Sequence, residues 1–257
     1  MRRNITASKL SIVCCILLLM AFFTNPGFAK NEEAPPQPFG FSCFQVKPGM
    51  ELQFEKLVKD AIPVLQEMGV TQMDTFTTSN FGVSGKYLFV SPLMDPAAMD
   101  AQLSDQRSNM VPVSIVSLMS GMSQTVVGSQ DFMLIPQTDL DIPLAEGYEI
   151  KLVHIVTNGT TPDNAENFKK GIKEAVKAIG KTNVKGVLVG RVGLGGNFDE
   201  YMVFNFYDSF KEFLENQPAI EKELSAADLS ALDGIVNYRK SEVFVRLPEL
   251  CMQPAAK

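Results

Sequence analysis

Apolar residues in "ELQFEKLVKDAIPVLQEMG" recur with the period of a helix. Leu57, Ala61, Leu65 and Met68 stand at i, i+4, i+8 and i+11 and share one face. A shift of 111 residues carries them onto Phe168, Ile172, Val176 and Ile179 in "TPDNAENFKKGIKEAVKAIG", and Gly69 onto Gly180. The same shift carries Cys43 onto His154. Thr161 and Pro162 read as the N-cap and first residue of the second helix. Pro63 is expected to kink or break the first.

Around these helices the pattern changes to short β-branched and aromatic runs. "FGFSCFQV" and "YEIKLVHIVT" precede the helices as strands. "VTQMDTFTT" and "KYLFVSPL" follow the first helix as a hairpin around Gly82 and Gly85. After the second comes "GVLVGRVGLGGNFDEYMVF", with Gly190, Gly193, Gly195 and Gly196 close together. A phosphate-cradling loop needs a strand before the glycines and a helix after them. Here strand-like sequence lies on both sides, so the glycines read as a hairpin turn. Tyr87 and Tyr201 stand 114 apart, which makes this hairpin three residues longer than the first.

"DPAAMDAQLSDQ" and "DSFKEFLENQ" read as the next helices. Each half closes on a strand, "QTVVGSQDFMLIP" or "GIVNYRKSEVFVRLP", after the helical stretches "NMVPVSIVSLMSGMS" and "AIEKELSAADLSALD". The order is β-α-β-β-α-β twice, an α+β plan of two tandem ferredoxin-like modules at residues 39–136 and 147–248. Residues 137–146 are the linker and 249–257 a C-terminal tail. Helices cover one face of each sheet, so the open faces are expected to pack on each other.

This plan resembles the dimeric α+β barrel superfamily, which includes antibiotic-biosynthesis-type monooxygenases, NIPSNAP-like proteins and the chlorite-dismutase group. The likeness rests on the βαββαβ spacing and on the tyrosine-strand-helix passages at Tyr87–Gln102 and Tyr201–Gln217, and spans about residues 39–248. It implies a pseudo-dimeric barrel, packed sheet to sheet, and brings no catalytic signature. In the haem-binding relatives the ligand histidine lies on a helix, whereas His154 is on a strand. The superfamily holds enzymes, haem proteins and chains without known activity, so fold alone does not settle function.

The first 29 residues have a basic start, "MRRNITASK", an apolar run, "LSIVCCILLLMAFF", and a small-residue end at Ala29. This is the layout of a secretory signal peptide, so the protein is expected to be exported, to a periplasm or outside the cell. Membrane contact would come only through this segment if it were retained. Residues 30–38 are an acidic, proline-rich flexible leader. Taking Arg2, Arg3 and Lys9 from the 23 basic residues leaves 20 against 29 acidic ones, a net charge of −9 with histidine neutral. That balance argues against nucleic acid as a partner. Cys43 and Cys251 remain after cleavage, and export permits a disulfide between them.

His154, the only histidine in the chain, sits in "KLVHIVT". Leu152, His154 and Val156 share one strand face and Val153 and Ile155 the other. Both faces are apolar, so the imidazole is expected to be buried and neutral, with a backbone carbonyl or a tyrosine hydroxyl as its partner. In "EYMVFNFYD", Met202, Phe204 and Phe206 form the face expected against helices. Tyr201, Val203, Asn205 and Tyr207 form the face expected to look into the barrel. Asn205 and Tyr207 are ligand-orienting candidates, with Arg191 on the neighbouring strand as a charge. Met119 to Met122, "MSGM", reads as core filling. Asn158-Gly159-Thr160 matches a glycosylation sequon. No metal set, cofactor motif or nucleophile set is evident, and no cofactor is expected. These features describe a non-catalytic barrel that binds a small apolar ligand or a protein partner. The alternative is a cofactor-free monooxygenase with a site in the barrel.

Overall fold

A computed structural model describes residues 37–67, 70–78, 83–93 and 113–253. Residues 1–36, which hold the expected signal segment and most of the leader, and the helix expected in "DPAAMDAQLSDQ" lie outside the described residues. The strands are β1 (Phe39–Val46), β2 (Asp74–Thr78), β3 (Lys86–Pro92), β4 (Val126–Pro136), β5 (Leu152–Gly159), β6 (Gly186–Val192), β7 (Glu200–Tyr207) and β8 (Tyr238–Arg246). The helices are α1 (Glu51–Glu67), α2 (Val113–Thr125), α3 (Ala165–Ile179) and α4 (Phe210–Ala226). The fold is α+β; the strand order is β1-β3-β2 in the first unit and β8-β5-β7-β6-β4 in the second. The chain divides into two compact units.

The first unit holds β1, β3, α1, α2, most of β2, the start of β4 and the chain from Leu247. β3 lies between β1 and β2, with Phe44 opposite Tyr87 and Phe76 opposite Leu88. α1 buries Phe54, Val58 and Leu65. The Phe54 ring lies 4.7 Å from that of Tyr87, and the Tyr87 hydroxyl donates to Glu55 Oε1 at 2.7 Å. α1 runs unbroken through Pro63. The chain after β8 returns to β2: Leu247 N–H donates to the Thr75 carbonyl, and Thr75 Oγ1 to that of Leu250 at 2.7 Å.

The second unit is built on Met133–Arg246. β5 lies between β7 and β8, and β6 adds to the far side of β7. α3 lays Phe168, Ile172 and Val176 on Val187, Val189, Tyr201 and Val203. The Phe168 and Tyr201 rings stand 4.7 Å apart. α4 starts with a capping box. Ser209 Oγ accepts from Glu212 N–H, and Glu212 Oε2 accepts from Asp208 N–H at 2.7 Å. α4 then passes through Pro218 and absorbs "AIEKELSA", which the sequence suggested as a separate helix. The glycines of 193–196 form the β6–β7 turn, with Gly195 at φ +84°, and a strand follows them as expected.

Two expectations are corrected. The spacing at the matched aromatic pairs is 114, since Phe44 faces Tyr87 as Asn158 faces Tyr201, and Phe54 matches Phe168. A slip of three on a helix lands on the same apolar face, so periodicity could not separate 111 from 114. On a strand an odd slip changes face, so the counterpart of His154 is Gly40 and not Cys43. The second correction concerns β7. Tyr201 and Val203 pack under α3, and Tyr207 under α4 through Phe213. The mixed face is therefore the helix-covered one, because its large aromatic rings fill the layer below the helices. Met202, Phe204 and Phe206 occupy the opposite face.

Candidate functional site

Four sequence-derived candidates lie on the helix side of the second unit, and three of them come together. His154 on β5 is the direct cross-strand partner of Asn205 on β7, and Leu152 of Tyr207. Strand alternation puts all four side chains on one face. α4 closes the layer with Phe213, whose ring lies 5.2 Å from the imidazole and 5.4 Å from the Tyr207 ring. Leu152, Tyr207, Phe213 and Val243 form the apolar surround.

The imidazole partner is neither a carbonyl nor a tyrosine. His154 Nε2 lies 2.6 Å from Ser241 Oγ on β8. Burial lowers the His154 pKa to about 4, with the positive Arg239 acting in the same direction. The ring is thus neutral at pH 7. Burial pushes the Tyr207 hydroxyl up to about 12, so it stays protonated.

Tyr207 is 0% exposed and Asn205 is 3% exposed, yet the Tyr207 hydroxyl and Asn205 Oδ1 have no hydrogen-bond partner. Asn205 Nδ2 reaches only the His154 carbonyl, at 3.4 Å. Asn216 on α4 stands beside the Tyr207 hydroxyl and partly offsets the rise in its pKa. Asn216 Nδ2 also donates to Thr182 Oγ1 at 3.1 Å, and its Oδ1 accepts from Asn183 N–H at 3.2 Å. A buried polar atom left unpaired costs about 1–3 kcal/mol. Asn205 Oδ1, at the position directly opposite His154, is such an atom, and a ligand hydroxyl would satisfy it.

Arg191 is not part of this cluster. It faces Tyr201, whereas Val187 faces Asn205. Four residues of strand, about 13 Å, separate the two positions. The arginine instead lies beside the Tyr201 hydroxyl. Cys43 and Cys251, the pair that export would permit to bridge, are free thiols in this structure. Cys43 is on β1, while Cys251 Sγ accepts from Thr75 N–H on β2, with β3 between them. Two strand spacings come to about 9.5 Å, beyond the reach of a disulfide. Asn158 of the sequon is 2% exposed and accepts from Arg239 Nε at 3.2 Å. Met122 is buried in α2, as core filling requires. Sequence reasoning missed Phe213, Asn216, Ser241 and Arg239. The alternation of "YRKSEVFVR" already put Ser241 and Arg239 on one face.

No family model matches the chain, and no curated protein matches its sequence. Solved structures do match. A candidate monooxygenase from Fusobacterium nucleatum superposes with TM-score 0.58 at 13% identity, over 85% of this chain and 95% of that one. An anthrone oxidase-like protein gives 0.54 at 8%, over 86% and 97%. A chlorite dismutase variant from Candidatus Nitrospira defluvii, in complex with cyanide, gives 0.52 at 8%, over 87% and 97%. The chain shares the α+β fold of these structures. At these identities the likeness is one of fold. It does not reach the narrower antibiotic-biosynthesis or NIPSNAP-like groups.

Haem, which the resemblance brings to mind, does not fit these residues. The one histidine holds Ser241 through Nε2 and is covered by Phe213. Among the described residues no three His, Cys, Asp or Glu side chains gather as a metal site. No described helix is long and apolar enough to cross a membrane.

Proposed function

We propose that the chain is a cofactor-free monooxygenase-like enzyme whose site lies between the sheet and α4 of the second unit. The observation that carries this reading is the neutral His154 directly across the strands from Asn205, whose buried Oδ1 has no partner, with Tyr207 two residues further along β7. The fold likeness to an anthrone oxidase-like protein and a candidate monooxygenase supports the reaction class.

In such a reaction the substrate is an aromatic ketone with an acidic C–H. His154 takes that proton, and the Tyr207 hydroxyl donates to the ketone oxygen, where negative charge gathers. The carbanion gives electrons to O2. One oxygen atom becomes a new carbonyl and the other leaves as water, so no external reductant is needed. Anthrone is the direct probe. The expected result is uptake of one O2 per anthraquinone formed, lost in H154Q. Binding without oxygen uptake would instead support a barrel that only holds an apolar ligand.

The tandem ferredoxin-like reading belongs to the same proposal. It is supported by the order β8-β5-β7-β6 in the second unit and by the spacing of 114. Export is supported by the layout of residues 1–29. Protein from the native host is expected to start at Lys30, and a start at Met1 would overturn this.

A further inference from the structure

We propose that Arg239 anchors an anionic group of the substrate, a carboxylate on an aromatic body, at the mouth of the His154 site. The inference rests on the site assignment above and adds the class of molecule that enters.

β8 passes from solvent into the core along its length. Tyr238, Arg239, Lys240 and Ser241 are exposed, while Glu242, Val243 and Phe244 are buried. Ser241 therefore joins the half-buried imidazole to the surface, while Phe213 packs on its ring and Asn205 and Val243 are its cross-strand neighbours. The approach to His154 runs along the exposed end of β8.

Arg239 stands on that approach. It is two residues from Ser241 on the same strand face, about 6.6 Å away. Its Nε donates to the Asn158 side chain at 3.2 Å, and this fixes the stem of the guanidinium. The Asn158 amide is neutral, and among the described residues Arg239 has no acidic partner. A guanidinium held in place on the exposed stretch of β8, with no acidic partner among the described residues, suits a carboxylate.

The two groups are also coupled. Arg239 is the charged side chain that acts on His154, since α4 presents Phe213, β7 Asn205 and β8 Ser241 and Val243. Its positive charge helps to hold the imidazole neutral. A bound carboxylate would cancel that charge and make His154 a stronger base when substrate is present.

The test is binding of 2-naphthoate and the neutral 2-naphthamide to the full chain by calorimetry. Naphthoate is expected to bind at least tenfold tighter. R239Q should abolish that difference and R239K should keep it. The imidazole titration, followed by NMR, should move upward on adding naphthoate and also in naphthoate-free R239Q. Equal affinities in the wild type, a preference that persists in R239Q, or binding of neither probe would overturn the proposal. The readout is binding, so failure to oxidise anthrone would end the oxygenase reading and leave this one standing.

Discussion

The two units share an aromatic pair and differ at the row that matters. In each, a phenylalanine of the long helix lies 4.7 Å from a tyrosine of the central hairpin, Phe54 on Tyr87 and Phe168 on Tyr201. In each, the tyrosine faces a residue of the first strand at the same place in the repeat. At the row of His154, Asn205 and Tyr207, however, the first unit has Gly40, Ser91 and Leu93. Gly40 pairs with Ser91 as His154 pairs with Asn205. The aromatic pair is therefore architectural and repeats. The polar row is special to the second unit, and it leaves buried polar atoms unpaired that packing alone would not call for.

The largest effect should come from the shared aromatic pair. Phe168→Ala and Phe54→Ala should each cost about 3–5 kcal/mol in urea unfolding, because each empties the layer below its helix. A much smaller loss in one unit would break the equivalence.

The next concerns pH. The folded-state pKa of His154, about 4, lies below its ordinary value of 6.5. Below pH 6.5 the unfolded chain binds a proton that the folded chain refuses. This contribution is thus full above pH 6.5 and falls away as pH drops to about 4, by up to about 3 kcal/mol. Asp141 opposes it. Its carboxyl, raised by burial to about 6, favours the folded state as pH falls from 6 toward 3.8. Unfolding of wild type and H154Q across pH 4–7 isolates the histidine. Parallel curves would mean that the imidazole is not held neutral.

A smaller effect belongs to the hairpins. Gly195→Ala and Gly85→Ala both force alanine to positive φ and should cost about 1–2 kcal/mol, with ligand affinity unchanged. Smallest in stability is Tyr207→Phe. Removing a buried hydroxyl without a partner should leave stability within about 1 kcal/mol or raise it, while weakening ligand binding. Ser91→Ala, at the row of Asn205 in the first unit, should leave binding untouched. Equal losses of binding in the two variants would erase the distinction between the units.

Much of the skeleton was readable because strand and helix periods are local properties. The glycine hairpin, the strand at His154 and the repeated α+β order follow from neighbouring residues alone. Helix periodicity tolerates a slip of three, so the pairing of the halves needed the contacts of Tyr87 and Tyr201. The direction of the β7 face was equally hidden, because a face with Tyr201, Val203 and Tyr207 suits either side of a sheet. His154, Asn205 and Tyr207 could be picked out as polar residues in apolar strands. Ser241 and Phe213 could not, since only the fold brings β8 and α4 to the imidazole.

The most direct test is a backbone and imidazole NMR titration of the full chain with 1-naphthol, whose hydroxyl can meet Asn205 Oδ1 and the Tyr207 hydroxyl. The account predicts that shifts gather at His154, Asn205, Tyr207, Phe213 and Asn216. Gly40, Ser91 and Leu93 should stay where they are. Shifts of equal size in both rows, or shifts that leave His154 unmoved, would contradict it.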